Sequence, residues 1–397
     1  MPGYMDMHTH CHTTMAVDFL SQFGPRIEGS AHRDWFLRLF LAFGVTTVRD
    51  VGNFSEILDM KRVYSDGGSA PAIFAAGELL EGPEPLWPLS RKVADEESAR
   101  EEVRRQKDMG ADWVKLYAGL DSACAEAAIR EAHSVGLRVA GHIGRTTARQ
   151  AARAGIDTLE HATTLADEEF LSREDRASLP GKPGGKYQRD RFRQTWAKAD
   201  LESEAAMDLV DALGSAGTAI CPTLVVHENT MVGPSESFQD FAFDHVPRQW
   251  LETWEGRMRI FKPPGEQLPN TEMTFKKALG MVSLLHSHGI RILGGTDAAL
   301  WNPYVVPGAS LHRELELLVA AGLSNQQALE SVTCVAAEEL GAQNRLGTVE
   351  EGKRADLVLL GSNPLEDISS TREIKFVISK GRVFSPEDLL QTTDARL

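Results

Sequence analysis

Cysteine is scarce in this 397-residue chain: the four that occur, Cys11, Cys124, Cys221 and Cys334, lie far apart and form no C-x-x-C. That spacing excludes a disulfide framework and a zinc knuckle, and it fits reduced thiols in a cytoplasmic protein. No run of about 18 apolar residues exists, which excludes a transmembrane helix. Positive charge is also short, with 42 Lys and Arg against 57 Asp and Glu and a net charge of −15. A diffuse acidic surface repels phosphate backbones, so no nucleic-acid partner is expected, which leaves a small molecule open as the ligand. The start lacks a basic segment followed by an apolar run, so no signal peptide is visible. What remains is ordinary for a globular protein: 42% hydrophobic and 25% charged residues, a balance that argues against disorder.

Short apolar segments alternate with segments of helical period. The expected strands are Tyr4–His10, Val45–Asp50, Ala72–Gly77, Trp113–Tyr117, Arg138–His142, Thr158–His161, Thr218–Val226 and Arg291–Thr296. The expected helices are Ser30–Phe43, Asp95–Met109, Ser122–Val135, Thr146–Ala154, Leu201–Ser215 and Thr271–His288, followed by Ser310–Ala321 and Asn325–Leu340. Gly44, Gly110, Gly136 and Gly155 each stand between a helix and the next strand, the place of a left-handed helix stop. This alternation predicts an α/β fold of the (β/α)8 TIM-barrel type over residues 1–345. Beyond it the period changes to two at Asp356–Leu360 and Lys375–Ser379, which reads as the strands of a small β-domain over 346–397.

Two stretches interrupt the alternation, Leu165–Asp200 and His227–Asn270. Both follow expected strands, so both belong on the strand C-terminal face, where long loops build or cover active sites. A solvated insertion is the alternative for the first. It carries a basic run, Lys182–Arg193, able to meet a substrate carboxylate or phosphate. Trp87, Trp196, Trp250, Trp254 and Trp301 could wall an apolar pocket or simply pack the loops.

Residues that bind divalent metals close several strands. His8 and His10 are two apart at the end of the first strand, so their side chains share one face. His12 follows as a competing ligand. His142, His161 and Asp297 close three further strands. Any one of these alone reads as a hydrogen-bonded structural residue, but together they point to a metal site at the barrel mouth. Lys115 lies inside the apolar strand Trp113–Tyr117, where alternation turns Trp113, Lys115 and Tyr117 inward. Burial lowers an ammonium's pKa, and a neutral amine can capture CO2 as a carbamate that bridges two metals. A lysine paired with a carboxylate is the alternative.

Pro2-Gly3-Tyr4-Met5-Asp6-Met7-His8-Thr9-His10 resembles the opening motif of the amidohydrolase superfamily. The resemblance continues through Val114-Lys115-Leu116-Tyr117, Gly141-His142, Leu159-Glu160-His161, Gly295-Thr296-Asp297 and the tail from Leu346 to Val358. It covers essentially the whole chain and is closest to the imidazolonepropionase-like and prolidase-like hydrolases. The resemblance implies two divalent metal ions, zinc by default: His8, His10 and Asp297 on one, His142 and His161 on the other, and carboxylated Lys115 between them. It also implies Asp297 as the catalytic proton carrier. His227, which this reading places at a strand end, is the expected oxyanion donor, although prolidase-like members carry tyrosine there. Tyr117 is the alternative donor, and a plain loop histidine is the alternative for His227.

The implied reaction is hydrolysis of an amide or peptide C–N bond, of a dipeptide or an N-acyl amino acid. A lactonase, esterase or phosphotriesterase on the same scaffold, or a silent scaffold protein, are the alternatives. Such proteins usually place several strands before the first histidine motif, whereas only three residues precede Tyr4 here. The small domain is therefore expected to be incomplete, or to pair its strands otherwise, as across a homo-oligomer.

Overall fold

The computed structural model describes residues 1–11, 30–64, 69–87, 89–179, 188–261 and 270–391. Its parallel strands are β1 (Tyr4–Thr9), β2 (Val45–Asp50), β3 (Ala72–Glu81), β4 (Ser90–Lys92), β5 (Trp113–Leu116), β6 (Arg138–Gly141), β7 (Thr158–Glu160) and β8 (Ala219–Cys221). They follow the order β1-β2-β3-β5-β6-β7-β8, with β4 appended to β3. Helices cross over between them, which gives the expected (β/α)8-type barrel. Gly44, Gly110, Gly136 and Gly155 all have positive φ, at 78°, 92°, 72° and 89°. Each is a helix stop of the kind the sequence suggests. The helix Glu96–Met109 starts as deliberately as it ends, with a capping box between Asp95 and Ser98.

The eighth strand is a correction. Segment 291–298 lies where Arg291–Thr296 was expected but forms only isolated bridges, Ile220 with Ile292 and Thr9 with Ala298. It still closes the barrel. On one side Ile220 N donates to Arg291 O and Leu293 N to Ile220 O, at 2.9 and 2.8 Å. On the other Met7 N donates to Gly294 O and Asp297 N to His8 O, at 3.0 and 2.8 Å. Gly295 explains the close approach. A Cβ there would lie 2.5 Å from Cys221 Sγ and 2.8 Å from the His8 nitrogen.

Inside the barrel Met5, Met7, Ala76, Trp113, Ala140, Ala219, Cys221 and Leu293 form one cluster, plugged from below by Ala336, Ala337 and Leu340. Val114 and Leu116 face the helices instead, in the larger outer core. The alternation read for the Lys115 strand therefore holds. In β1 the register is irregular between Asp6 and Thr9. That irregularity changes the phase of the strand, so Met5 and Met7 fill the core below while His8 and His10 reach the mouth above.

The expected strand Thr218–Val226 is also corrected: it ends at Cys221, and Leu224–Met231 is helical. Three consecutive apolar residues read as strand, yet Thr223 turns the chain at φ 49°. The buried Glu314 carboxylate then accepts from Leu224 N and Val225 N at 2.9 and 2.7 Å, satisfying donors that a helix start leaves open. His227 consequently sits on a helix, not at a strand end. Other differences have similar origins. Asn325–Leu340 divides into Asn325–Glu330 and Cys334–Glu339. Between these two helices the Ser331 and Val332 carbonyls accept from Gly294 N and Met5 N beneath the barrel. The two interrupting stretches contain helices, Gln188–Lys198 in the first and Arg248–Phe261 in the second, and Glu56–Tyr64 is a further unforeseen helix.

The C-terminal strands are β9 (Leu357–Leu360), β10 (Ile374–Ser379) and an additional β11 (Arg382–Phe384), antiparallel in the order β11-β10-β9. The chain's own first residues extend this sheet. Met1 N donates to Val358 O and Val358 N to Met1 O, both at 3.0 Å, and Gly3 N donates to Asp356 O at 2.8 Å. No helix among the described residues is long and apolar enough to cross a membrane.

Gly295→Ala is expected to force β8 and β1 apart at the closing segment, at a cost of about 1–3 kcal/mol. Denaturant unfolding measures this; an unchanged midpoint would show that the barrel seam has slack.

Candidate active site

At the C-terminal mouth a cavity of about 340 Å³ is lined by His8, His10, Lys115, Tyr117, His142, His161, His227 and Asp297, together with Trp87, Trp301, Arg257 and Asn302. The expected site residues other than His12 thus line one cavity. His12 and the Lys182–Lys186 half of the basic run lie outside the described residues, as do the side chains of Arg189, Arg191 and Arg193. Of the five tryptophans, Trp87 and Trp301 line the cavity. Trp196, Trp250 and Trp254 instead pack the insertions onto the barrel, fully buried.

Each histidine has a definite partner or neighbour. His8 Nδ1 lies 2.6 Å from Glu160 Oε2, and His10 Nδ1 lies 2.6 Å from the Gly52 carbonyl oxygen. In both, the proton on Nδ1 is thereby fixed and Nε2 is left to face Asp297 Oδ1, at 3.6 and 3.2 Å. Such outer partners orient metal-ligating histidines. His161 Nδ1 lies 2.7 Å from Thr223 Oγ1 and 4.0 Å from Asp297 Oδ2. The His142 ring lies between two others, edge-on to His161 at 4.5 Å and tilted against Tyr117 at 4.6 Å. Ligand atoms of His8, His161 and Asp297 lie within 4.8 Å of one another.

Burial lowers His8 to about 4 and His142 to about 3, so both are neutral at pH 7 and present lone pairs. Burial also acts on His10, but the Asp297 carboxylate outweighs it and raises that imidazole. Partial burial pushes Asp297 up, yet the adjoining histidines and Lys115 hold it down at about 2. Lys115 falls to about 8 through burial, with Glu160 resisting and Arg49 assisting the fall. Its Nζ is fully buried and has no hydrogen-bond partner.

Sequence reading missed Glu160. Its Oε1 accepts from Arg49 Nη2 at 2.8 Å and from Thr158 Oγ1 at 2.7 Å, while Oε2 meets His8. Burial pushes its carboxyl up, but Arg49, Lys115 and His8 together hold it below the ordinary range. Arg49 is itself locked by Met7 O at 2.6 Å and lies over the Trp113 ring at 4.6 Å. The available signal was the acidic residue beside His161 at the end of an apolar strand, together with a buried-phase arginine in Val45–Asp50.

Tyr117 and His227 face the same cavity. Tyr117 accepts from Trp87 Nε1 at 2.8 Å, and burial keeps its phenol protonated. His227 Nε2 lies 3.2 Å from Thr163 Oγ1, and burial lowers its pKa to about 4.

A parallel barrel thus gathers histidines, a carboxylate and a buried lysine at its mouth. Residues 1–384 match the sequence profile of the amidohydrolase family, and the chain belongs to that family. Over 100 residues it is 31% identical to the 5'-deoxyadenosine deaminase of Methanobrevibacter smithii, a stretch spanning 24% of this chain and 23% of that relative. Similar solved structures share the fold. A Xaa-Pro dipeptidase with bound methionine has a TM-score of 0.65 at 20% identity, over 97% of this chain and 86% of that one. The A. niger ochratoxinase gives 0.65 at 19%, over 97% and 83%. A bottromycin amidohydrolase gives 0.66 at 21%, over 99% and 80%.

Replacing Glu160 by Gln removes the anion between Arg49, Lys115 and His8. Breaking a buried pair costs about 3–5 kcal/mol, and urea unfolding is expected to show a loss of that order. Glu97→Gln, at an exposed pair with Arg100, should leave the unfolding midpoint nearly unchanged. Equal losses would mean that the Glu160 pairing is not a stabilising element.

Proposed function

We propose that the protein is a metal-dependent hydrolase that cleaves a non-cyclic C–N bond, of a dipeptide or an N-acyl amino acid. The observation that carries this reading is Lys115. A fully buried amine without a hydrogen-bond partner, ringed by His8, His142, His161 and Asp297, is costly as a structural residue. It is well suited to a carbamate, formed when the neutral amine bonds to CO2 and releases a proton. The alternative pairing with a carboxylate has its candidate in Glu160, which acts on Lys115 through charge while its own oxygens are bonded elsewhere.

The residues fit two divalent ions, with zinc the default for nitrogen and oxygen donors. His8, His10 and Asp297 would hold one, His142 and His161 the other, and carboxylated Lys115 both. When bound, such ions supply an acidified water and a Lewis acid for the scissile carbonyl. Asp297 then acts as the proton carrier. Its Oδ1 is turned to His8 and His10, which leaves Oδ2 to take the nucleophile's proton and deliver it to the departing amine. Tyr117 accepts from Trp87, so its own proton remains to be donated to the oxygen of the polarised carbonyl. His227, held at Thr163, is the second donor. The names of the Xaa-Pro dipeptidase and the bottromycin amidohydrolase favour C–N cleavage, and four free cysteines fit a reducing, cytoplasmic setting.

The decisive experiment combines metal analysis with a substrate panel of dipeptides, N-acyl amino acids, lactones and phosphoesters. About two ions per chain and turnover confined to the amides are expected; active protein with no metal would sink the mechanism. Lys115→Ala should lose most activity and regain part of it with added short carboxylic acids, which can occupy the carbamate's place. Undiminished turnover would make Lys115 structural. Asp297→Asn should lower kcat by about 10²–10⁴-fold, with bound metal assayed in the same samples. Full metal and near-normal turnover would remove Asp297 from the proton path.

A further inference from the structure

A second cavity, of about 360 Å³, adjoins the active-site cavity, and the two share His142, Thr163, Thr164 and Phe192 in their linings. The first alone lies at the low end of ligand pockets, which run from roughly 300 to 1,000 Å³. The second roughly doubles the space beside His142. Its far side is built by the first long insertion and by the turn that leads into the helix Ala148–Arg153. Trp196, fully buried, donates from Nε1 to Thr163 O at 2.6 Å, which ties the helix Gln188–Lys198 to the shared wall. Phe192 stands one turn earlier on that helix and is 38% exposed. An aromatic side chain left that open is not packed into the wall it belongs to, so a ligand can pass over it.

The lining says what such a ligand carries. Among the described residues, the charged groups on the second cavity are Asp167 and Glu168, both acidic. Arg149 Nη2 donates to Asp167 Oδ2 at 2.9 Å from outside the lining. Arg149 and Arg153 between them face Asp167, Glu169 and Asp208, and Glu168 adds a further carboxylate, so this side of the mouth stays acidic. Thr146 and Thr164 commit their hydroxyl protons to Leu120 O and Glu160 O, each at 2.8 Å. Towards a ligand these two oxygens are therefore acceptors. Carboxylates and acceptor oxygens receive N–H donors and repel anions, and a primary ammonium is the group that suits both.

Asp297 also tells which half of a substrate goes there. It delivers a proton to the departing amine, and it lines the first cavity but not the second. The departing half therefore stays in the first cavity, and the half that reaches past His142 and Phe192 is the acyl half. We propose that the second cavity is an acyl subsite for chains that end in an unblocked amine, so that the enzyme prefers short peptides and other aminoacyl amides to amides with apolar or acidic acyl groups. This rests on the amide-hydrolase reading above, and it adds which amides that site takes.

The test uses four amides of phenylalanine that differ only in the acyl group: acetyl, hexanoyl, 6-aminohexanoyl and 5-carboxypentanoyl. Binding by calorimetry and hydrolysis are both measured on the metal-containing wild type, Ala166→Phe and Glu168→Gln. The wild type is expected to bind the amine probe about 10- to 100-fold more tightly than the carboxylate probe, with the hexanoyl probe between them. Ala166 lines the second cavity and not the first. A phenylalanine there should weaken the three long probes about 10-fold or more, seen in KM more than in kcat, and leave the acetyl probe unchanged. Glu168→Gln should narrow the gap between amine and carboxylate without moving the hexanoyl probe. Equal affinities for the amine and carboxylate probes in the wild type overturn the proposal. So does an Ala166→Phe variant that weakens the acetyl probe as much as the long ones. Should that variant not fold, the wild-type series and Glu168→Gln decide. Amine preference in binding with no hydrolysis of any probe supports the subsite while sinking the amide-hydrolase reading. Hydrolysis of all four probes with no amine preference does the reverse.

Discussion

The carboxylate of Glu160 has no access to water, and it touches groups that otherwise could not coexist. Arg49 is a fully buried cation in the barrel interior, Lys115 is a fully buried amine near it, and His8 must keep one nitrogen protonated and the other bare. A single anion placed among them balances the Arg49 charge and sets the tautomer of His8. The two inner layers of the barrel follow from this. Below it, Arg49 lies over Trp113 and the interior is apolar; above it, the polar mouth begins. Removing a cation and its anion from water is costly, and the attraction compensates only when every lone pair is engaged. The bonds from Arg49, Thr158 and His8 engage both oxygens.

Backbone conformation does the remaining aiming. His161 and Asp297 have positive φ, at 67° and 59°, and Thr223 at 49° stands beside His161. Non-glycine residues adopt this region at some cost, and such residues cluster at functional sites. Here each marks the point at which an apolar strand or closing segment stops. The left-handed residue turns its side chain over the mouth instead of along the sheet. Bonds from Asp297 N to His8 O and from Asn302 Nδ2 to Asp297 O hold one of these turns in place.

Much of this was legible in the sequence, for a physical reason. Strands that end in His8, His142 and His161 interrupt long apolar runs with polar residues at one fixed end, and only a barrel mouth gathers such ends. Glycine stops such as Gly110 are local and equally readable. What could not be read depended on distant partners. Leu224–Met231 is helical because Glu314, ninety residues on, accepts its first donors. The segment 291–298 is irregular because Gly294 and Gly295 must fit against Val332 and Cys221. Arg257 enters the cavity only because Trp250 and Trp254 find buried seats on the barrel, and a charged residue in a long insertion otherwise reads as solvated.

The closing segment has a kinetic consequence. Asp6 and Thr296 are bonded across 290 positions of chain, and His8, His10 and Asp297 meet only where that contact forms. Contacts so remote in sequence carry the largest loop-closure cost and form late. During synthesis the histidines of the first strand emerge long before the aspartate that completes their constellation. The mouth is therefore chemically incomplete in every partly made chain. The constellation itself exists only in a finished barrel, where it brings the two ends of the chain's barrel together.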